Sequence, residues 1–214
     1  MKLDPTLIVI TDSAILARAS GMPMRDAVRA AAAGGATIIQ LREKEMGGAA
    51  LLRMADELRS TLEGSGCAFT VNDRIDIALA CGAEGVHLGQ EDLPLSRARE
   101  VAGGRLGFGV SAGKPEWAAQ AAADGADYIG LGPIYPTGSK ADARKPIGPE
   151  GLAKLLEFAP GIPAAGIGGV SAENLAPVIR AGAQGVAVIG AVMGAPDPEA
   201  ATREIRKRIE EARS

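Results

Sequence analysis

The decapeptide AGAQGVAVIG at 181–190 decides how this chain is read, because its pattern recurs. A Gly-Ala step that closes a helix and leads into a short apolar strand stands also as GGATIIQLRE at 34–43, CGAEGVHLGQ at 81–90 and DGADYIGLGP at 124–133. The alanines of that step, at 36, 83, 126 and 183, are separated by 47, 43 and 57 residues. One strand–helix unit takes roughly 20–30 residues, so each interval holds two units. The strands this demands are present: AFTV at 68–71, LGFGV at 106–110 and IPAAGI at 162–167, with LIVIT at 7–11 ahead of the first repeat. All are short apolar runs bounded by Gly, Pro or Asp, as expected of parallel strands covered on both faces.

Helical signals fill the gaps. MRDAVRAAAAG at 24–34 closes on Gly, AALLRMADELRSTLEG at 49–64 carries apolar residues at helical spacing, and SAENLAPVIRAG at 171–182 opens on a Ser cap and closes on Gly. PEAATREIRKRIEEARS at 198–214 places Ile205 and Ile209 on one face and Glu204 four residues ahead of Arg208, a terminal helix packed on the core. Eight alternations of β and α predict an α/β protein of the (β/α)8 TIM-barrel type, a single domain over residues 1–214 and close to the ~200-residue lower limit for that architecture. A doubly wound sheet competes, but it needs G-x-G-x-x-G after the first strand, and TDSAILARA follows LIVIT instead.

Composition narrows the function classes. With 47% hydrophobic and 23% charged residues the chain is globular, and 29 glycines, about double the usual ~7%, mark many special backbone positions. A net charge of −3 excludes a large basic surface, so no nucleic-acid partner is expected. No window approaches the ~20 apolar residues of a membrane span, and MKLDPTLIVITD is too short in its apolar run for a signal peptide. Cys67 and Cys81 read as free thiols, which fits a soluble, cytoplasmic protein with no membrane partner.

In such a barrel the chemistry lies at the C-terminal ends of the strands. After the second strand, alternation turns Gln40, Arg42 and Lys44 toward the mouth. Asn72-Asp73 follows the third, His87 and Asp92 the fourth, Ser111 the fifth, and the loop 132–148 with Lys140 the sixth. Separately, Arg42 and Lys44 could be surface ion-pair partners, and Asp73 and Asp92 helix caps. Together, two carboxylates on adjacent strands beside two cations suit Mg²⁺, which takes one or two protein carboxylates and completes its shell with water and phosphate oxygens. A diphosphate held by Mg²⁺, Arg42, Lys44 and Lys140 is the functional reading of this set. Gly166-Ile167-Gly168-Gly169, Ser171 and Val188-Ile189-Gly190 follow the seventh and eighth strands, the recurrent phosphate site of barrels. With one histidine, no C-x-x-C and no G-x-S-x-G, nucleophilic catalysis is not indicated, and His87 reads as structural rather than as a general base.

Taken together, QLREK (40–44), VND (71–73), HLGQED (87–92), GVSA (109–112), GLGPIYPTGSK (130–140) and GIGG (166–169) resemble the thiamine-phosphate synthase family over essentially the whole chain. The resemblance implies condensation of 4-amino-5-hydroxymethyl-2-methylpyrimidine diphosphate with 4-methyl-5-(2-hydroxyethyl)thiazole phosphate to thiamine phosphate and diphosphate. It implies that Gln40, Arg42, Lys44, Asn72 and Lys140 bind the pyrimidine diphosphate, and that Asp73 and Asp92 hold Mg²⁺. Ser111 would lie beside the pyrimidine; Thr137, Ser139, Gly168 and the backbone of Val188, Ile189 and Gly190 would hold the thiazole phosphate. The implied mechanism is dissociative, through a pyrimidine carbocation, with Arg42, Lys44, Ser111 and Lys140 as its catalytic set. Three positions depart from the family pattern: Gly113 where His is common, Ile8 where Tyr is common, and Thr137-Gly138-Ser139-Lys140 in place of T-x-T-K. The competing functions are a non-catalytic sensor of a phosphate ligand, a tautomerase-type relative that binds a thiazole phosphate, and another phosphate-binding barrel enzyme working through an acid–base pair. The expected partners are small-molecule substrates; the oligomeric state, a homo-oligomer included, stays open.

Overall fold

Each apolar run forms a strand, and in the computed structural model, which describes residues 3–138 and 145–214, the eight close on themselves. They are β1 (Leu7–Ile10), β2 (Ile38–Leu41), β3 (Ala68–Asn72), β4 (Gly85–Leu88), β5 (Gly107–Ser111), β6 (Tyr128–Leu131), β7 (Ala164–Ile167) and β8 (Gly185–Val188). All pairs are parallel and follow chain order, with β8 returning to β1 through Leu7 opposite Val186 and Val9 opposite Val188. The helices are α1 (Ser13–Ala19), α2 (Met24–Ala33), α3 (Gly48–Thr61), α4 (Ile75–Cys81), α5 (Leu95–Ala102), α6 (Pro115–Ala123), α7 (Gly148–Leu156), α8 (Ala176–Arg180), α9 (Gly190–Met193) and α10 (Pro198–Arg213).

Strand periodicity sorts the core into two layers. Leu7, Val9, Ile39, Leu41, Phe69, Val71, Val86, Leu88, Val186 and Val188 point outward into the strand–helix layer. Ile8, Ile10, Ile38, Tyr128, Ala165, Ala187 and Ile189 point into the barrel, where Leu3 joins them. Leu3 plugs the bottom: a Cβ on Gly85 or Gly107 would meet its side chain at 2.9 Å. The inside is therefore filled below and open above, which leaves the C-terminal mouth for function.

The long terminal helix is as its periodicity predicts. In α10, Ile205 and Ile209 are buried and Arg208 pairs with Glu204 at 2.7 Å. The segment 171–182 differs, because α8 begins only at Ala176. Asn174 takes over residues 171–174 as a turn: its Oδ1 accepts the Ser171 N–H at 2.8 Å and its Nδ2 donates to the Gly169 carbonyl at 2.8 Å. Ser171 is thus a turn residue and not a helix cap. Both cysteines are free thiols, and among the described residues no helix is long and apolar enough to cross a membrane.

Candidate active site

The inward, polar ends of the strands meet where alternation sends them. Gln40, Arg42, Asn72, His87 and Ser111 line one hollow at the mouth, walled by Ile8, Ile10, Ile167 and Ile189. Its empty space amounts to about 430 Å³ when the open solvent at its entrance is included. Lys44 departs from the alternation, since β2 ends at Leu41 and the chain then turns. It lines a neighbouring groove with Glu43, Asp73 and Arg74. Asn72 borders both hollows, so they join at the end of β3.

Asp73 holds the joint under strain. Among the described residues it alone combines a side chain with positive φ, +65°, a region costing roughly 1–2 kcal/mol for most L-residues. Its N–H donates to the His87 carbonyl at 2.8 Å, and the next N–H, of Arg74, folds back on Asn72 at 2.7 Å. This sharp turn sets the Asp73 carboxyl against Asp92. Neither residue is a helix cap: α4 has no side-chain cap, and Asp92 Oδ2 accepts the Gly89 N–H at 2.6 Å. Burial, then the hydrogen bond and charge of Asp92, push Asp73 up to about 6 against the pull of Lys44 and Arg42. Two carboxyls in contact either share a proton or accept a cation. Among the described residues no third His, Cys, Asp or Glu joins a cluster, a donor set that fits a cation completing its shell with water and substrate oxygens.

Arg42 is held by the loop after β1. Its N–H donates to Thr11 Oγ1 at 2.9 Å and its guanidinium lies 4.0 Å from Asp12, whose other carboxylate oxygen caps α1 through the Ile15 N–H at 2.9 Å. Glu43 completes the clasp by accepting from both the N–H and the hydroxyl of Ser13, at 3.1 and 2.6 Å. Neither Asp12 nor Glu43 stood out in the sequence, although Asp before a helix is a common cap.

Opposite, the loop after β6 lies against the loop after β7. The Ile134 and Tyr135 N–H groups donate to the Ile167 and Gly168 carbonyls, each at 2.9 Å, beyond a cis Gly132–Pro133 bond. Gly168 is required there twice over, by φ of +97° and because a Cβ would meet Pro133 at 2.6 Å. Among the described residues its own N–H has no acceptor. Val188 points its side chain outward and offers only backbone, Ile189 faces the hollow, and Gly190 opens α9, with nothing within 4 Å of a Cβ built on it. Thr137 follows in the partly buried β6 loop, whereas Ser139 and Lys140 lie outside the described residues.

The sequence also left Tyr128 unremarked. It is fully buried on β6 beneath the hollow, 3.0 Å from His87 Nδ1, and His87 Nε2 is 3.0 Å from Ser111 Oγ. Burial pushes its hydroxyl up, and the Gln40 amide pulls it back. Inward glycines give the signal: a Cβ on Gly109 would stand 2.1 Å from the Tyr128 ring, so GFGVS vacates the space that tyrosine fills.

Residues 7–192 match the family model described as thiamine monophosphate synthase. A thiamine-phosphate synthase of Moorella thermoacetica is 51% identical over 193 residues, 90% of this chain and 91% of that protein. One of Methanoregula boonei is 46% identical over 213 residues, 100% of this chain and 96% of the other. Among solved structures, a thiamine phosphate pyrophosphorylase from Pyrococcus furiosus superposes with a TM-score of 0.88 at 41% identity, covering 99% of this chain and 98% of that one.

Proposed function

The chain belongs to the thiamine monophosphate synthase family, and from this premise we propose that it is a transferase joining 4-amino-5-hydroxymethyl-2-methylpyrimidine diphosphate to 4-methyl-5-(2-hydroxyethyl)thiazole phosphate. The observation that carries the reading is the meeting of Arg42, Lys44, Asn72 and the Asp73–Asp92 pair at the ends of β2 to β4, across the mouth from the Gly168 and Gly190 backbone. One side suits a diphosphate and the other a monophosphate.

In this reading Arg42, Lys44 and Lys140 bind the diphosphate oxygens and meet the charge that grows on them as the C–O bond breaks. Asp73 and Asp92 would hold Mg²⁺, which when bound adds electrostatic stabilisation of the leaving diphosphate. The bonding pair departs with diphosphate, leaving a carbocation on the pyrimidine methylene, and the thiazole nitrogen lone pair closes the new C–N bond. No proton is abstracted, so the reaction does not call on the Ser111 hydroxyl and His87 imidazole, 3.0 Å apart, as a nucleophile–base pair. Gln40, Asn72 and Ser111 hold the pyrimidine, while Ile8, Ile10, Ile167 and Ile189 keep water from the cation. Thr137, Ser139, the Gly168 N–H and the backbone of Val188, Ile189 and Gly190 seat the thiazole phosphate.

The test is direct. Purified protein with both substrates and Mg²⁺ is expected to release thiamine phosphate and diphosphate in equal amounts, and chelation of the metal is expected to stop it. Binding of both substrates without product under these conditions would make the protein a sensor instead.

A further inference from the structure

The loop after β7 runs through two glycines of positive φ, Gly168 at +97° and Gly169 at +64°, in a turn of the kind whose successive N–H groups form an anion-binding concavity. We infer that Tyr135 and Asn174 hold the loop in this state, so that the Gly168 and Gly169 N–H groups together receive the phosphate of the thiazole substrate. The inference rests on the proposed function for the identity of its ligand and on the loop for its geometry.

A trans peptide sets its C=O and its N–H on opposite sides, so each carbonyl fixes where the following N–H points. The Ile167 carbonyl accepts the Ile134 N–H and the Gly168 carbonyl accepts the Tyr135 N–H, each at 2.9 Å. Both carbonyls are therefore turned toward the loop after β6. In a continuing strand they would alternate in direction, and the positive φ of Gly168 sends both the same way. Because β7 stands between β6 and β8 in the barrel, the N–H groups of Gly168 and Gly169 face the β8 side, where Val188-Ile189-Gly190 ends its strand. Among the described residues neither N–H has a protein acceptor.

Two adjacent glycines do not keep one conformation unaided, since each has access to both signs of φ. Asn174 supplies the lock. Its Nδ2 donates to the Gly169 carbonyl at 2.8 Å, its Oδ1 accepts the Ser171 N–H at 2.8 Å, and its own carbonyl accepts the Tyr135 hydroxyl at 2.9 Å. Three successive carbonyls, of Ile167, Gly168 and Gly169, are thus each claimed by a donor of the protein. The Tyr135 ring packs on the core and ties the loop that carries Thr137 to the loop that carries the glycines. Tyr135 and Asn174 are positioning residues, acting through the Gly168 and Gly169 amides.

Titration of ¹⁵N-labelled full-length protein with inorganic phosphate reads both amides by NMR without calling on activity. The Gly168 and Gly169 resonances are expected to move together and to saturate. Movement of Gly168 alone, or of neither, would overturn the inference whether or not the protein is a synthase. Asn174→Ala is expected to weaken this binding about tenfold, the scale of one hydrogen bond to a charged group. In kinetics the same variant is expected to raise KM for the thiazole phosphate about tenfold and to leave KM for the pyrimidine diphosphate within about twofold. Equal shifts in both KM values, the mark of a general structural loss, would refute it. Should Asn174→Ala fail to fold, Tyr135→Phe keeps the packed ring, loses the bond to the Asn174 carbonyl, and is expected to raise KM for the thiazole phosphate alone about threefold. An unchanged KM in that variant would likewise refute it. Both amides answering to phosphate, with no product from wild type and both substrates, would instead sink the synthase reading and leave the phosphate cradle standing.

Discussion

At Asp73 the backbone and the side chain pull in different directions. The positive φ favours Gly or Asn, while the pairing with Asp92 calls for a carboxylate, and the residue present serves the second at the expense of the first. Its folded value of about 6 lies above the ordinary 3.8. Between those values the folded protein keeps a proton that the unfolded chain has released, so stability falls as pH rises through this window and the loss is complete above about 6. Asp73→Asn is therefore expected to raise the stability of the metal-free protein at pH 7.5, on the order of 1 kcal/mol after allowing for solvent screening, with the gain shrinking near pH 4 to the part that the backbone preference alone supplies. Melting curves in chelator at the two pH values check this; an equal gain at both would remove the assigned cause. The same variant is expected to lose metal-dependent turnover, and added Mg²⁺ to stabilise wild type alone. VND made Asp73 visible as a strand-end carboxylate, but the left-handed turn that delivers it to Asp92 depends on the β4 carbonyl it bonds.

The elements that matter most for Arg42 are the two short loops after β1 and β2. Asp12 caps α1 with one oxygen and faces Arg42 with the other, so a single side chain joins helix initiation to the orientation of the guanidinium. The two roles separate by substitution. Asp12→Ser retains a capping oxygen and is expected to melt close to wild type, whereas Asp12→Ala loses the cap at a cost of about 1 kcal/mol. Both are expected to raise KM for the pyrimidine diphosphate by a similar factor, since both release Arg42; steady-state kinetics beside thermal melts distinguishes the two roles, and an unchanged KM in both would show that the clasp does not orient Arg42. Strands were legible as elements because short apolar runs between Gly, Pro and Asp repeat along the chain. The start of α8 was not: Ser171 looks like a cap, and only the Asn174 bonds to Ser171 and Gly169 show that the segment is spent on a turn.

For the molecule as a whole, closure of the barrel leaves no free sheet edge and buries much of both core layers. The two thiols report on that closure. Burial pushes Cys67 up to about 12 and raises Cys81 as well, so neither supplies thiolate at neutral pH in the folded state. A thiol reagent at pH 8 is expected to label neither cysteine in native protein and both in denaturant, with the native rate following global unfolding; rapid labelling of one thiol without denaturant would contradict this. The barrel itself, the inward and outward alternation, and the gathering of Gln40, Arg42, Asn72 and Ser111 at its mouth were determined by the sequence alone, because strand period and repeat spacing are local properties that closure merely expresses. Only the tertiary structure decided that Lys44 turns into a second groove with Asp73, that Asp12 holds Arg42, and that Tyr128 on β6 reaches His87 on β4 under Ser111 on β5. Those contacts join residues far apart in the chain, and they follow from the space left inside a closed barrel by small inward residues such as Gly109, a quantity no single stretch of sequence carries.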